Sequence, residues 1–193
     1  MMVKICGITN LEDALAAAAG GASALGFNFW PRSPRYVTAE SAGRVIERLP
    51  ATVWKVGVFV DEDPRTMERI AREAGLDVVQ LHGEEKAANF PAAMRVWKAI
   101  RIRGDFEAAW LDEYPAEAIL LDGPANGVSF DWKLAAGVSK KVIVAGGLDA
   151  DNVRAVIQQA KPWGVDACSR LECAPGRKDH GKMAQFLKAA LTA

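Results

Sequence analysis

The sequence has no excess charge of either sign: 24 Lys and Arg face 24 Asp and Glu in 193 residues. Without net charge there is no general field to draw nucleic acid or an acidic membrane, so an anionic ligand has to be held by local groups. Cysteine is scarce, with only Cys6, Cys168 and Cys173. An odd, irregularly spaced set is no disulfide framework, and a chain of this length folds without one. Nor is there a metal-ligand pattern, since only His180 lies near the last two cysteines, and no structural metal is expected. No stretch approaches the roughly 20 apolar residues of a membrane span. Met1 leads directly into Val3-Lys4-Ile5-Cys6 with no basic region ahead of an apolar one. These absences predict a reducing, cytoplasmic setting and a small-molecule partner, with no nucleic acid and no membrane; monomer and homodimer both stay open.

What is present is a globular composition, 50% hydrophobic and 25% charged, on a chain of a length that predicts one domain over 1–193. Short apolar, β-branched runs alternate with alanine-rich segments of helical period, the pattern of parallel strands covered by helices. Strands are predicted over 3–6, 24–29, 54–60, 78–81, 95–100, 118–121, 142–145 and 165–167. Between them, Leu11, Ala14, Leu15 and Ala18 form an apolar stripe behind a Thr9/Glu12 capping box. Asp63-Pro64 opens a helix that Gly75 ends, Asp149 opens another, and Met183, Phe186, Leu187, Ala190 and Leu191 give the last its buried face. Weaker helical signals cover 38–48, 84–90, 105–111 and 130–136. Eight strands in alternation, with no long linker or low-complexity run, predict an α/β fold closed as a (β/α)8 TIM barrel, the alternative being a doubly wound open sheet.

In such a barrel the chemistry sits at the C-terminal ends of the strands. Cys6, after the first strand, is a candidate base or nucleophile, or else a small buried hydrophobe. Asp122, at the edge of Ile119-Leu120-Leu121, is placed to act as a general acid, or else forms a turn before Gly123-Pro124. Arg32 and Arg35 offer guanidinium groups to a carboxylate or phosphate, unless they merely form a solvated loop. His82 is a proton shuttle, a hydrogen-bond donor or a structural histidine. Gly146-Gly147 after the seventh strand and Cys168-Ser169 after the eighth stand where barrels bind phosphate through backbone amides, which predicts a phosphorylated substrate.

Together these residues resemble a known family. Lys4-Ile5-Cys6-Gly7-Ile8-Thr9 looks like the opening motif of the phosphoribosylanthranilate isomerases of tryptophan biosynthesis. Gly26-Phe27-Asn28-Phe29, Ser33-Pro34-Arg35-Tyr36-Val37, Val56-Gly57-Val58-Phe59-Val60, Gln80-Leu81-His82-Gly83, Leu121-Asp122, Phe130-Asp131-Trp132, Ala145-Gly146-Gly147-Leu148 and Pro175-Gly176-Arg177-Lys178-Asp179 follow in that family's order, so the resemblance spans the chain. It implies a cofactor-free Amadori rearrangement, with Asp122 as acid, Cys6 as base, Arg35 on the anthranilate carboxylate, and the phosphate around Gly146, Gly147, Cys168 and Ser169. His82 joins the substrate-binding set. The chain departs from the pattern twice. The loop from Gly123 to Ser129 is short, and Cys168-Ser169-Arg170 stands where the family commonly reads Ser-Ser-Gly. Two other readings remain: a related phosphosugar isomerase, whose bisphosphate substrate would need a second phosphate site in the first half-barrel, and a non-enzymatic phosphosugar-binding module.

Overall fold

The computed structural model describes residues 1–103, 106–125 and 128–193. Eight parallel strands close into a barrel in sequence order: β1 (Met2–Cys6), β2 (Ala24–Asn28), β3 (Trp54–Phe59), β4 (Val78–Leu81), β5 (Arg95–Arg101), β6 (Ala118–Asp122), β7 (Lys141–Val144) and β8 (Gly164–Ala167). The barrel closes where β1 lies beside β8, with Ile5 opposite Ala167. Each strand lies within one residue of its predicted ends, because continuous β-branched runs buried on both faces leave little freedom in where pairing starts and stops. The open-sheet alternative is excluded by this closure.

Among the described residues, five α-helices cover the barrel: α1 (Leu11–Ala19), α2 (Ala39–Ile46), α3 (Pro64–Ala74), α4 (Val153–Ala160) and α5 (His180–Leu191). At α3 the expected features are all in place, with Asp63 accepting from the Thr66 amide at 3.0 Å, Pro64 in the first turn, and Gly75 left-handed at φ 75°. Two caps differ from expectation. The cap of α1 is Asn10, whose side chain accepts from the Asp13 amide at 2.8 Å. Thr9 instead donates to the Gly176 carbonyl at 2.5 Å, because the tertiary contact to the segment after β8 outcompetes the local cap. α4 begins at Val153 rather than at Asp149, whose carboxylate accepts from the amides of Asp151 and Asn152 and forms a turn ahead of the helix.

Three of the weaker helical signals resolve as 3-10 segments, Ala87–Asn89, Ala108–Glu113 and Trp132–Gly137. Helical segments of only three to six residues do not repay the cost of nucleating an α-helix, and the tighter turn serves. The start of the 105–111 prediction, and Asn126-Gly127 in the loop after Asp122, lie outside the described residues. A short antiparallel hairpin, β9 (Glu172–Ala174) with β10 (Arg177–Lys178), follows β8.

The core has two layers. The larger, between barrel and helices, holds Ile5, Leu25, Phe59, Leu81, Ile119 and Val165 with Met67, Val156 and Phe186. The smaller fills the barrel interior around Met2, Val56, Trp97, Leu120 and Ile143. Trp54, Trp97 and Trp163 close the bottom of the barrel with ring centroids 5.7–6.2 Å apart. Above this apolar floor the interior becomes polar, with Lys4, Gln80 and Asp166 buried. The barrel is therefore sealed at one end and chemically equipped toward the other.

Candidate active site

Because strand side chains alternate, Lys4 and Cys6 share one face of β1, and Asp166 and Cys168 share one face at the end of β8. That face points into the barrel. Lys4 is fully buried and pairs with Asp166 at 2.9 Å. A methyl group built on Gly26 would lie 2.7 Å from the Cys6 sulfur and 3.1 Å from the Lys4 nitrogen, so thiol and ammonium crowd the same glycine. The Cys6 thiol is held well below its ordinary range, first by a hydrogen bond with Cys168 and then, against burial, by the positive charges of Lys4 and Lys178. Cys168 is pushed the other way by that same hydrogen bond and by burial. Burial would by itself lower the Lys4 ammonium, yet Asp166 and Cys6 hold it above its usual value. Burial also pushes the Asp166 carboxyl up to about 7, with Lys4 opposing.

Asp122 ends β6. Its carboxylate accepts from the Gly123 amide at 2.9 Å, and its other oxygen lies 3.4 Å from His82 Nε2. Asp122 and His82 side chains are both largely buried, at 14% and 22% exposure, so this is an acidic group in a restricted, hydrogen-bonded setting rather than a solvated turn.

Arg35 and Arg32, equivalent in sequence, are separated by the structure. Arg32 is exposed. Arg35 is half-buried and forked onto Glu172, with Nε and Nη2 donating at 2.8 and 2.6 Å. Glu172 also accepts from Lys178 at 3.0 Å. Burial would raise the Glu172 carboxyl, but Arg35 and Lys178 hold it below its usual range. With Glu172 fixing one edge, the guanidinium keeps donors on its other edge for a planar carboxylate.

Gly146 and Gly147 have φ of 89° and 65°, left-handed backbone that favours glycine and lets the chain turn tightly at the cavity wall. A methyl on Gly146 would meet the Gly123 nitrogen at 2.5 Å, so this turn packs directly on the loop after Asp122. Ser169 opens a short 3-10 turn, Ser169–Leu171, behind Cys168. Arg170, at the departure from glycine, reaches Asp149 at 3.2 Å and ties the β7 and β8 loops together.

All eight predicted site residues, Cys6, Arg35, His82, Asp122, Gly146, Gly147, Cys168 and Ser169, line one cavity of about 690 Å³ at the C-terminal mouth. Sequence reasoning did not single out Lys4, Asp166, Glu172 and Lys178, which support them. For Lys4 and Asp166 a signal existed, since each stands two residues before a candidate and hence on its face.

The sequence model of the N-(5'phosphoribosyl)anthranilate (PRA) isomerase family matches residues 3–189. This chain belongs to that family. An N-(5'-phosphoribosyl)anthranilate isomerase of Solibacter usitatus (strain Ellin6076) is 54% identical over 199 residues, covering 100% of this chain and 98% of the relative. The phosphoribosyl anthranilate isomerase of Thermus thermophilus superposes with a TM-score of 0.93 at 40% identity, covering 100% of this chain and 99% of that one. Another family member was crystallised with reduced 1-(o-carboxyphenylamino)-1-deoxyribulose 5-phosphate; it is 39% identical, with a TM-score of 0.89 and full coverage of both chains. The family resemblance and the barrel read from the sequence are thereby confirmed.

Proposed function

We propose that this chain, as one barrel domain, isomerises N-(5-phosphoribosyl)anthranilate to 1-(2-carboxyphenylamino)-1-deoxyribulose 5-phosphate, with Asp122 as general acid and Cys6 as general base. The observation that carries this reading is the convergence of an acid and a thiolate-favouring cysteine on one cavity in a chain of this family. Asp122 gives its proton to the furanose ring oxygen as the bond from that oxygen to C1 breaks, and the anthranilate nitrogen lone pair closes the iminium. The Cys6 thiolate then removes the C2 proton; its electrons form the C1–C2 double bond and the iminium electrons return to nitrogen. The resulting enol takes a proton at C1 and gives up its C2 hydroxyl proton, becoming the ketone.

Arg35, braced by Glu172, orients the anthranilate carboxylate, and His82 steadies Asp122 within reach of the substrate. The phosphate rests on the amides of Gly146-Gly147 and the Cys168-Ser169 segment. The test is loss of substrate fluorescence on adding the protein to freshly made phosphoribosylanthranilate. Turnover with saturation kinetics is expected, and an inactive, folded protein contradicts the assignment.

A further inference from the structure

The mouth of the barrel holds two thiols where the proposed mechanism uses one. Ile5 and Ala167 are partners in the β1–β8 ladder, so Cys6, the last residue of β1, and Cys168, the residue directly after β8, come next on adjacent strand ends. Such neighbours lie about 4.8 Å apart between strand axes, within the Cα separations of about 4.4–6.8 Å that a disulfide bridges. Both side chains line the same cavity, and each thiol's acidity is set in part by the other. A methyl on Gly7 would sit 2.8 Å from the Cys168 sulfur, so Cys168 lies directly over the residue that follows Cys6. Cations flank the pair: Lys178 Nζ is 3.8 Å from the Cys168 sulfur, and Lys4 sits beneath Cys6. Cys173 is elsewhere, exposed on β9 with its sulfur donating to the Arg177 carbonyl at 3.5 Å.

We propose that Cys6 and Cys168 are a hydroperoxide-sensitive dithiol, in which Cys6 is the attacked site and Cys168 the resolving thiol, so that oxidation reversibly removes the base from the reaction. In the first step the Cys6 thiolate attacks a hydroperoxide oxygen. The S–O bond forms, the O–O bond breaks, and the leaving hydroxide or alkoxide takes up a proton. Cys6 sulfur is oxidised by two electrons as the peroxide is reduced. In the second step the Cys168 sulfur attacks the sulfenic sulfur: the S–S bond forms, the S–OH bond breaks, and hydroxide leaves as water with the Cys168 proton. One hydroperoxide is consumed for each disulfide. A disulfide sulfur cannot accept the C2 proton, so turnover stops until a thiol reductant reopens the bond. The loss of activity, though not the link itself, rests on the reading of Cys6 as the base.

The departure from the family pattern is what creates the pair, because a serine at 168 could not resolve a sulfenic acid. The test treats the reduced, full-length protein with hydrogen peroxide, alkylates the remaining thiols, and maps peptides by mass while turnover is followed in parallel. The expected result is a Cys6–Cys168 linkage, loss of turnover in proportion to the linked fraction, an alkylated Cys173, and recovery with dithiothreitol. In Cys168→Ser no linkage forms, and Cys6 is trapped by dimedone or passes to a sulfinic acid that dithiothreitol does not reverse. Cys173→Ala still forms the link. The proposal is overturned if wild-type Cys6 goes to sulfinic acid without linking, if Cys6 resists peroxide, or if the bond formed involves Cys173. A reduced protein with no turnover would refute the isomerase reading alone, since the peptide map decides the linkage independently.

Discussion

On the proposed reading Cys6 serves as a base in proportion to how much of it is thiolate, and that fraction is set by its neighbours. The hydrogen bond with Cys168 leads, and the Lys4 charge adds to it against burial. An unperturbed thiol titrates near about 8.5, so the acid limb of kcat/KM should fall well below that value. Lys4→Met removes the cation next to the sulfur and should move that limb upward while leaving its shape intact. A pH profile of the variant that superposes on the wild type would show that Lys4 supports the fold only. Arg35 is subject to a similar argument: Glu172→Gln keeps the shape but weakens the fork that aims the guanidinium, and KM should rise several-fold with a smaller change in kcat. A steady-state comparison checks this, and an unchanged KM would mean that the Glu172 brace does not orient substrate.

At the scale of elements, each end of the barrel has its own task, and the two separate experimentally. Gly75 ends α3 at the end of the barrel away from the mouth, with a left-handed φ of 75° and its nearest neighbour, Ile46 Cγ2, at 3.6 Å from a built methyl. There is room for a side chain there but no suitable backbone conformation, so Gly75→Ala should cost about 1 kcal/mol in urea denaturation with kcat unchanged. Gly146 has both problems, a left-handed φ and the Gly123 nitrogen in the way, so Gly146→Ala should impair turnover as well as stability.

The strands were legible in the sequence because buried parallel strands are written as unbroken apolar runs. The mouth residues were legible because they stand immediately after those runs. Caps were less so: Thr9 satisfied the local rule and was drawn instead to Gly176, a contact 167 residues away. The Arg35–Glu172 fork spans 137 residues, and nothing local marks it. Nor could spacing distinguish Arg32 from Arg35, since only the path of the loop after β2 decides which one turns inward.

For the whole molecule, the buried charges give stability a definite pH dependence. Glu172 and Glu85 are held below their usual values, burial being outweighed by Arg35 and Lys178 at the first and by Lys98 and backbone amides at the second. Since these folded values are depressed, their stabilisation is fully present above about 4.3 and is lost as pH falls through the folded value. Asp166 has the opposite sign: with its carboxyl raised to about 7, its contribution is greatest at low pH and is lost as pH rises through 7. Thermal unfolding should therefore show Tm falling between pH 5 and 3, with a smaller fall in Glu85→Gln; an equal fall in that variant would contradict the assignment.

Above this scaffold, the sealed floor of tryptophans and the polar interior lead to an open end, where Asp122 of β6 and Cys6 of β1 line the same cavity. The most direct measurement is kcat for phosphoribosylanthranilate in the wild type, Cys6→Ser and Asp122→Asn, each shown to be folded. A positioned acid or base contributes on the order of 10²–10⁴-fold. Both variants should lose at least about 10²-fold in kcat, whereas near-wild-type turnover by either one would contradict the acid–base assignment.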